Sequence, residues 1–492
     1  MISPHDTATD GSRRVAGHLR TLGPEARQAR RLLTDLLDAG PTTLERLVAQ
    51  TGAPRRDVEH LVKLMGEDAD RQGHRIEVLA PEPYAALALA EPAPVPLPVE
   101  AMQELLAAAP APVKSLDHVA ATADTVLRRA RWLDEQFELS QTRVLMLGDH
   151  DATTLAFGVL GIEIGALAVV DIDHDLLAYL GERSTASPYF ADLRVGLPEP
   201  LRDQFDIVVT DPPYSAEGVG LFAARGVEAI DRHERGRLIL AYGFPPSSPA
   251  LGLKVQNALS GLDLVYEAVL PGFNHYDGAQ AIGSRSAQYV LRPTRRSKRA
   301  AARTVARTVP TIYSHGRQSV ESANDGPEVF RRLAEDAEAI DVDELFDAPR
   351  VRAGRVAVNL APLHGRSLVH AALAAQAPEV DLVVPNETDG VRSESEQERT
   401  RRLLGAVRFR RSVDGTPFTI VHVAGTPPLP PPFAPLAETA GELAGRRPID
   451  LPLHLLERLV RAEVQYAPEH VGASGRPDPD HRGRDLPRAD RR

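Results

Sequence analysis

Four aspartates recur at regular intervals in the middle of the chain, each after a short apolar or aromatic run. They are Asp149 in LGDHD, Asp171 in VVDID, Asp192 in FADLR and Asp211 in TDPPY. In a doubly wound parallel sheet, the residues that follow the strands line one crevice, and ligands bind there. One acid of this kind is weak evidence, but four in register predict a shared ligand site.

Each acid has a physical task in binding a nucleoside. An acid that ends the second strand accepts hydrogen bonds from both ribose hydroxyls, which is the role expected of Asp171. Asp192 can accept a hydrogen bond from an adenine amine. Gly148, Asp149 and His150 form the loop after the first strand and are expected to contact the same cofactor. The ligand indicated is an adenosyl thioether or sulfonium.

The tetrapeptide DPPY, residues 211–214, is typical of enzymes that transfer a group from a sulfonium to an amine nitrogen. Its prolines remove backbone donors and stiffen the turn. The Asp211 carboxylate and the Pro212 carbonyl can therefore face an amine N–H beside the cofactor, and Tyr214 can stack on a planar acceptor or contact a cation. The motif does not fix which group is transferred.

The alternative for any single acid is a helix cap. Asp149 and Asp173 each precede a predicted helix, and Asp171 could cap the helix HDLLAYLG. The joint spacing of the acids favours a ligand site over several unrelated caps.

The elements that must position these acids alternate between strand and helix from residue 116 to 293. This alternation predicts a Rossmann-like, methyltransferase-type domain with a mostly parallel sheet.

Residues 1–90 contain three helical patterns and a strand-like HRIEVLA, which predicts a winged helix. Its third helix carries Arg55 and Arg56 where a DNA reader would place base contacts. Acids such as Glu59 share that helix, so packing or dimerisation is favoured over nucleic-acid binding.

Four further segments complete the predicted organisation. Residues 91–115 are predicted as a Pro-rich linker and 294–309 as a basic, solvated linker. Residues 310–425 repeat the α/β rhythm more weakly, and DLVVPNETD is similar to DIVVTDPPY, so we consider a smaller, degenerate methyltransferase-like copy. Residues 426–492 contain a Pro-rich segment, one helix and a tail with too few apolar residues to fold.

Composition limits the function classes. The net charge of -11 over 492 residues is compatible with cationic small molecules and argues against a general nucleic-acid coat. The absence of cysteine excludes disulfides and thiolate nucleophiles. A polar start and no apolar run of membrane-spanning length predict a cytoplasmic protein. His315, His364 and His370 lack ligand spacing, so no metal site is predicted.

Residues from about 20 to 293 resemble the branched-chain polyamine synthases, within the class I S-adenosylmethionine-dependent methyltransferase-like superfamily. The likeness runs through LGDHDATTLA, AVVDIDHDLLAYL, ADLRVGLPEPLRDQFDIVVTDPP, AARGVEAI and PGFNHY. Those enzymes add aminopropyl groups from decarboxylated S-adenosylmethionine to an internal nitrogen of spermidine. The resemblance implies an aminopropyltransferase with that co-substrate and a polyamine or other small amine as acceptor. We also expect a homodimer.

Under this resemblance, Asp149 and Asp151 contact the amine or act as the base. Asp211 and the Pro212 carbonyl orient the amine, and Tyr214 forms a wall of the pocket. Acids suit the nucleotide loop because a cationic amine must lose a proton and approach a cationic sulfonium.

Two positions depart from the family pattern, and a third region adds acceptor contacts. His150 replaces the middle acid of a G-D-D-D loop, and Tyr214 stands where an acid is usual. A protonated histidine could hold the carboxylate of intact S-adenosylmethionine, which keeps an amine N-methyltransferase as an alternative. A DNA-binding regulator that senses an adenosyl metabolite is a second alternative. Asn274 and Tyr276 in PGFNHY are expected to reach the acceptor from the loop before the last strand.

Overall fold

The structure is a computed structural model that describes residues 8–89, 96–279, 282–305, 312, 327–346, 350–363, 365–411 and 417–462. Within these ranges, three β-sheets pack in separate hydrophobic clusters, and Val383 and Phe418 of the third sheet belong to a fourth, smaller cluster. No helix in them is long and apolar enough to cross a membrane. His315, His364 and the tail after residue 467 lie outside the described ranges.

An N-terminal unit combines helices with three short antiparallel strands. Its elements are α1 (Asp10–Leu22), α2 (Ala26–Asp38), β1 (Thr42–Thr43), α3 (Leu44–Thr51), α4 (Arg55–Met65), β2 (Ala69–Gln72) and β3 (Arg75–Val78). The Thr43 hydroxyl accepts the N–H of Arg46 at the start of α3, and Gly52 is left-handed at its end. A threonine cap and a left-handed glycine are common start and stop signals of helices. Helix α1 is an addition to the three predicted helices.

Helix α5 (Val99–Ala108) forms within the segment predicted as a Pro-rich linker. The linker prediction therefore fails for this part, because the nearby prolines precede the helix instead of interrupting it. Pro98 is the N-cap residue, where no backbone N–H is needed. Met102 is fully buried, and α5 packs on α6 (Ala123–Gln136).

The central domain is a seven-stranded sheet with helices between its strands. Its elements are β4 (Arg143–Leu147), α7 (Thr153–Val159), β5 (Ala166–Asp171), α8 (His174–Arg183), β6 (Ser187–Phe190), β7 (Ile207–Thr210), α9 (Ala216–Ala229), β8 (Arg237–Tyr242), α10 (Pro249–Gly261), β9 (Val265–His275) and β10 (Arg285–Arg292). The strand order is β6-β5-β4-β7-β8-β10-β9, and β10 runs antiparallel to both neighbours. The order reverses beside β4, so the carboxyl ends of β4, β5 and β7 form the crevice where ligands of such sheets bind.

The predicted basic linker also contains a helix, α11 (Ser297–Val305). Ala300 and Ala301 are buried where α11 packs against α9, whereas Arg299 and Arg303 are exposed. The two alanines form a small apolar face on the helix. The linker prediction missed this face because it rested on the number of basic residues in the segment.

The C-terminal extension is α/β, as predicted. Its elements are α12 (Pro327–Ala334), β11 (Glu338–Ile340), α13 (Val342–Leu345), β12 (Arg355–Asn359), α14 (Leu368–Ala375), β13 (Glu379–Pro385), α15 (Glu394–Leu404), β14 (Ala406–Arg411), β15 (Phe418–Ala424) and α16 (Leu453–Arg461). The strand order is β11-β12-β13-β15-β14, with the first three strands parallel. The described residues are thus mixed α/β, and the two larger sheets contain parallel strands.

Candidate active site

The loop after β4 shows why an aspartate follows the glycine. Gly148 has a φ of +73°, and a Cβ there would lie 3.2 Å from Phe222, so the position favours glycine. The two carboxylate oxygens of Asp149 accept hydrogen bonds from the backbone N–H groups of Thr153 and Thr154, with N–O distances of 2.9 Å in both cases. Burial and the charge of Asp151 raise the pKa of Asp149 well above its ordinary value. Asp149 therefore caps α7 and is also a carboxyl group that readily keeps a proton.

Asp171 links this loop to the next one. It ends β5, is buried, and accepts the backbone N–H groups of Asp149 at 3.1 Å and Asp173 at 2.8 Å. Burial and the charge of Asp173 raise the pKa of Asp171 to about 6. Asp173 itself caps α8. Asp171 thus lies at the strand end where such sheets bind a ribose.

Asp192 is held by an arginine that the sequence did not single out. Its carboxylate accepts hydrogen bonds from Nε of Arg194 at 3.0 Å and from Nη2 at 2.6 Å. Arg194 also donates to the carbonyl oxygen of Pro362 in the C-terminal extension. An adenine amine would therefore share the Asp192 carboxylate with a bidentate ion pair.

Arg129 of α6 lies at the centre of the acidic site, although it was not among the predicted residues. Its buried guanidinium donates to Oδ2 of Asp151, to Oδ2 of Asp211 at 2.6 Å, to Oδ1 of Asn274 at 2.7 Å and to the Tyr276 hydroxyl at 3.2 Å. Burial alone would lower the pKa of Arg129, but the two carboxylates outweigh it and raise that pKa. The available signal was an arginine among the buried positions of α6.

Asp151 is engaged through both of its oxygens. Oδ1 accepts the Thr153 hydroxyl at 3.0 Å, and Oδ2 accepts from Arg129. Burial alone would raise the pKa of Asp151, but the charges of Arg129 and His150 lower it below its ordinary value. A carboxylate with a lowered pKa is a weak proton acceptor, so this geometry weighs against the predicted role of Asp151 as the base.

Two tyrosines, one from DPPY and one from PGFNHY, meet beside Asp211. The Tyr276 hydroxyl donates to Oδ2 of Asp211 at 2.8 Å and lies 2.8 Å from the Tyr214 hydroxyl. Burial, together with the charge of Asp211, raises the pKa of Tyr214 well above its ordinary value, so the ring stays a neutral phenol. Asn274 donates to Ser286 at 3.0 Å. Among the described residues, the hydrogen bonds to the Asp211 carboxylate fall on Oδ2.

His150 lines the same pocket as Asp171 and Asp211, the residues predicted to bind the nucleoside and the amine. Its ring stacks on His118 with centroids 4.8 Å apart, and its Nε2 lies 3.0 Å from the carbonyl oxygen of Val119. Because only a protonated Nε2 can donate to that carbonyl, Nδ1 is the acceptor in the neutral ring. The pocket measures about 40 Å³, and its lining includes Gly148, His150, Asp171, Asp211 and Pro213.

A larger cavity of about 230 Å³ shares Ala191 with this pocket, and its lining includes Asp192 and C-terminal residues such as Phe433. The acids along it are already paired, Asp192 with Arg194 and Asp450 with Arg447 at 2.6 Å. The smaller pocket, which is lined by the residues predicted to bind the ribose and the amine, is therefore the better candidate for the chemistry.

Metal ligation finds no support in the described ranges, where no three His, Asp or Glu side chains form a group that could hold an ion. His370, one of the histidines set aside in the sequence, is buried and its Nε2 lies 2.8 Å from the carbonyl oxygen of Leu451. It is a packing residue.

The sheet order, the crevice beside β4 and the acids at its edge define a methyltransferase-like domain. Residues 99–337 match the family model described as the branched-chain polyamine synthase A C-terminal domain. This match, which spans slightly less than half of the chain, confirms the resemblance found in the sequence. The matched range begins and ends later than the predicted 20–293.

Individual relatives point the same way over shorter stretches. An uncharacterized protein of Methanocaldococcus jannaschii is 33% identical over 175 residues, which is 35% of this chain and 44% of the relative. An N(4)-bis(aminopropyl)spermidine synthase of the same organism is 27% identical over 187 residues, or 36% and 52% of the two chains. The chain thus spans about half the length of these curated relatives.

A solved structure is similar at lower identity. It is the branched-chain polyamine synthase C9 mutein from Thermus thermophilus, in complex with N4-aminopropylspermidine and 5′-methylthioadenosine. It is 20% identical, the match covers 62% of this chain and 97% of that one, and the TM-score is 0.36.

Proposed function

We propose that this protein transfers an aminopropyl group from decarboxylated S-adenosylmethionine to an amine nitrogen of a polyamine. The observation that carries the proposal is the gathering of Asp149, Asp151, Asp171 and Asp211 in one buried site of a polyamine synthase-type domain. An anionic site suits a reaction in which both partners are cations. Because a named relative is an N(4)-bis(aminopropyl)spermidine synthase, spermidine is the first acceptor to test.

The proposed reaction is a displacement at the carbon bonded to sulfur. The acceptor enters as an ammonium group and loses a proton to a carboxylate. The nitrogen lone pair then forms a C–N bond with the propyl carbon while the C–S bond breaks. The electrons of that bond return to sulfur, so neutral 5′-methylthioadenosine leaves. Alignment of nitrogen, carbon and sulfur contributes most of the acceleration in such a step.

On the donor side, Asp171 accepts the ribose hydroxyls, and Asp192 lies beside the adenine together with Arg194. Gly148 allows the backbone to approach the nucleoside closely because it carries no Cβ. These roles are supported by the positions of the two acids after β5 and β6.

On the acceptor side, Asp211 and the carbonyl of Pro212 hold the amine N–H, and Tyr214 forms the wall. Asp149 is the better proton acceptor, because its raised pKa makes it more basic than Asp151. The proton therefore moves to the carboxyl group at the N-terminus of α7.

A competition assay tests the proposal. The purified protein receives S-adenosylmethionine, its decarboxylated form and spermidine together, and the products are identified by mass. We expect aminopropyl additions and release of 5′-methylthioadenosine. Methyl additions would replace the proposal with an amine N-methyltransferase, which His150 in the donor pocket favours. The absence of any addition would favour a metabolite-sensing regulator.

The N-terminal unit and the central sheet each support one smaller proposal. We propose that this unit is a winged helix, and the support is its order of helices and strands, which ends with the β2–β3 hairpin. Arg55 and Arg71 both pair with Glu59, so the unit suits packing better than DNA binding.

We also propose a homodimer, for which β9 supplies an edge strand with Val265 and Val269 half-exposed. Sedimentation analysis tests that state.

A further inference from the structure

A guanidinium already occupies part of the space between the acids that would hold the amine. Arg129 bridges Asp151 and Asp211 and is itself fixed by Asn274 and Tyr276. The side chains of Arg129, Asp151 and Asp211 are each less than a tenth exposed. The site therefore contains a built-in cation, placed where a second ammonium group of a polyamine would otherwise bind.

The bridge uses one particular oxygen of Asp211. Arg129 and Tyr276 both donate to Oδ2, so the plane of the carboxylate is fixed by two donors from different elements. Oδ1 is then the oxygen available to an acceptor nitrogen. Asp151 has both oxygens bound, to Thr153 and to Arg129, and cannot compete for the amine without losing a contact.

We infer that Arg129 is a positioning and specificity-determining residue, which admits one amine nitrogen at Oδ1 of Asp211 and prevents a polyamine from bridging Asp151 and Asp211. This inference rests on the proposed function. Its physical basis is charge: a fixed cation satisfies two carboxylates and repels a second ammonium group. The nitrogen that remains is held in one orientation toward the donor.

This arrangement predicts opposite changes in binding and turnover when the guanidinium is removed. In Arg129→Gln, two buried carboxylates lose their partner and attract the polyamine more strongly. The amine then settles between Asp151 and Asp211, displaced from the line of attack. A residue that only supported the fold would weaken binding and turnover together.

Calorimetry with spermidine at pH 8, in the presence of 5′-methylthioadenosine, measures binding, and product mass measures turnover. In Arg129→Gln we expect spermidine to bind at least about tenfold more tightly and kcat to fall roughly hundredfold. In the double variant Arg129→Gln with Asp151→Asn, a single free carboxylate remains, so affinity should return to within about threefold of the parent protein. Arg128→Gln is the matched control on the same helix, since Arg128 pairs with Asp124 outside the site.

Arg129→Lys provides the answer if the glutamine variant does not fold, because lysine keeps the charge but cannot bridge four partners. We expect nearly unchanged spermidine affinity and a roughly tenfold lower kcat. Weaker or unchanged spermidine binding by a folded Arg129→Gln overturns the inference, as does a lysine variant with the parent kcat. If the parent protein transfers no group at all, the proposed function has failed, and the calorimetric comparison still decides the role of Arg129.

Discussion

Strand β7 has an aspartate near each end, and the partners of these two residues differ. Asp206, before the strand, binds Arg143 through hydrogen bonds of 2.9 and 3.0 Å that use both oxygens. Asp211, after the strand, binds Arg129 and Tyr276 through Oδ2. The first is a partly exposed ion pair that uses both oxygens, whereas the hydrogen bonds of the second fall on Oδ2 among the described residues. This pair of residues allows catalysis to be separated from stability.

We expect Asp211→Asn to lower kcat by roughly 10²- to 10³-fold, as the loss of one preorganised electrostatic contact does. The free energy of unfolding should fall by only about 1–3 kcal/mol, because Arg129 keeps its ion pair with Asp151. Steady-state kinetics and urea unfolding measure the two effects. Asp206→Asn is the control and should keep its turnover. Unfolding of the Asp211 variant with no separate kinetic effect would remove the main support for the proposed role.

The pKa of Asp171, raised to about 6, predicts how nucleoside binding depends on pH. Only the charged carboxylate can accept hydrogen bonds from both ribose hydroxyls, so binding must first remove the proton below pH 6. The affinity for 5′-methylthioadenosine should therefore be about tenfold weaker at pH 5 than at pH 8. Calorimetry across this range tests the sign, and affinity that rises on acidification would contradict it. Asp171→Asn should bind weakly at every pH.

The acids were predictable because alternation of strand and helix fixes which residues reach one edge of a sheet. Arg129 was not, because its partners Asp211 and Asn274 lie 82 and 145 residues away in the chain. Their meeting depends on how α6 packs on the sheet, which periodicity does not reveal. Asp192 and Arg194 both stand in FADLR, separated by one residue. Their pairing was still not predictable, because two nearby charges in a sequence do not show whether their side chains meet.

At the scale of elements, two helices formed where composition favoured linkers. Both have small or flexible apolar residues on the buried face, Met102 in α5 and Ala300 and Ala301 in α11. Such faces comprise only one or two residues, so the flanking prolines or arginines dominate the composition of the segment. Packing against α6 and α9 decides the outcome, which is a tertiary effect.

Helix α11 offers a direct test of this packing. Ala301→Glu places a charge in the fully buried contact with α9 and should lower the free energy of unfolding by about 3 kcal/mol or more, since no partner can compensate it. Ala302→Glu, on the exposed side of the same helix, should change it by less than about 0.5 kcal/mol. Urea unfolding measures both. Equal, small effects would mean that the segment is a solvated linker in solution.

The five-stranded sheet of the C-terminal extension repeats five of the seven strands of the central sheet. The order β4-β7-β8-β10-β9 and the order β11-β12-β13-β15-β14 have the same strand directions and the same antiparallel pair at the edge. In this correspondence β12, in RVAVNLAP, takes the place of β7, in DIVVTDPPY. The segment DLVVPNETD, which is similar to DIVVTDPPY in sequence, contains β13 and takes the place of β8 instead. Counterparts of β5 and β6, which carry Asp171 and Asp192, are missing from this sheet of the described chain. A degenerate second copy thus remains our prediction, without a nucleoside site of the same kind.

At the scale of the whole molecule, the C-terminal extension contacts the loops that would hold the nucleoside. Arg366 donates to the helix-capping Asp173 at 2.7 Å, and its carbonyl oxygen lies 2.9 Å from Nε2 of His174. Arg194, which holds Asp192, reaches the carbonyl of Pro362. Residues of the C-terminal extension therefore hold the loops that follow β5 and β6 in place. We expect the extension to influence binding of the donor for this reason.

Arg366→Ala tests this coupling. Asp173 is almost fully buried, so removal of its partner should cost about 3–5 kcal/mol of unfolding free energy at pH 8. Burial already raises the pKa of Asp173, and loss of Arg366 raises it further. The carboxyl group then protonates more easily as the pH falls, so the deficit should shrink at pH 5. Affinity for 5′-methylthioadenosine should fall with the stability at pH 8.

Arg392→Ala is the matched control for that experiment, because Arg392 lies on the same extension but pairs with Asp389 and Glu396 at the surface. It should change the free energy of unfolding by less than about 1 kcal/mol at either pH. Urea unfolding at both pH values, with calorimetry for the nucleoside, separates the two variants. A deficit in Arg366→Ala that is independent of pH would show that Asp173 is not its cause. Unchanged nucleoside affinity in a destabilised Arg366→Ala would show that the extension stabilises the domain without shaping the donor site.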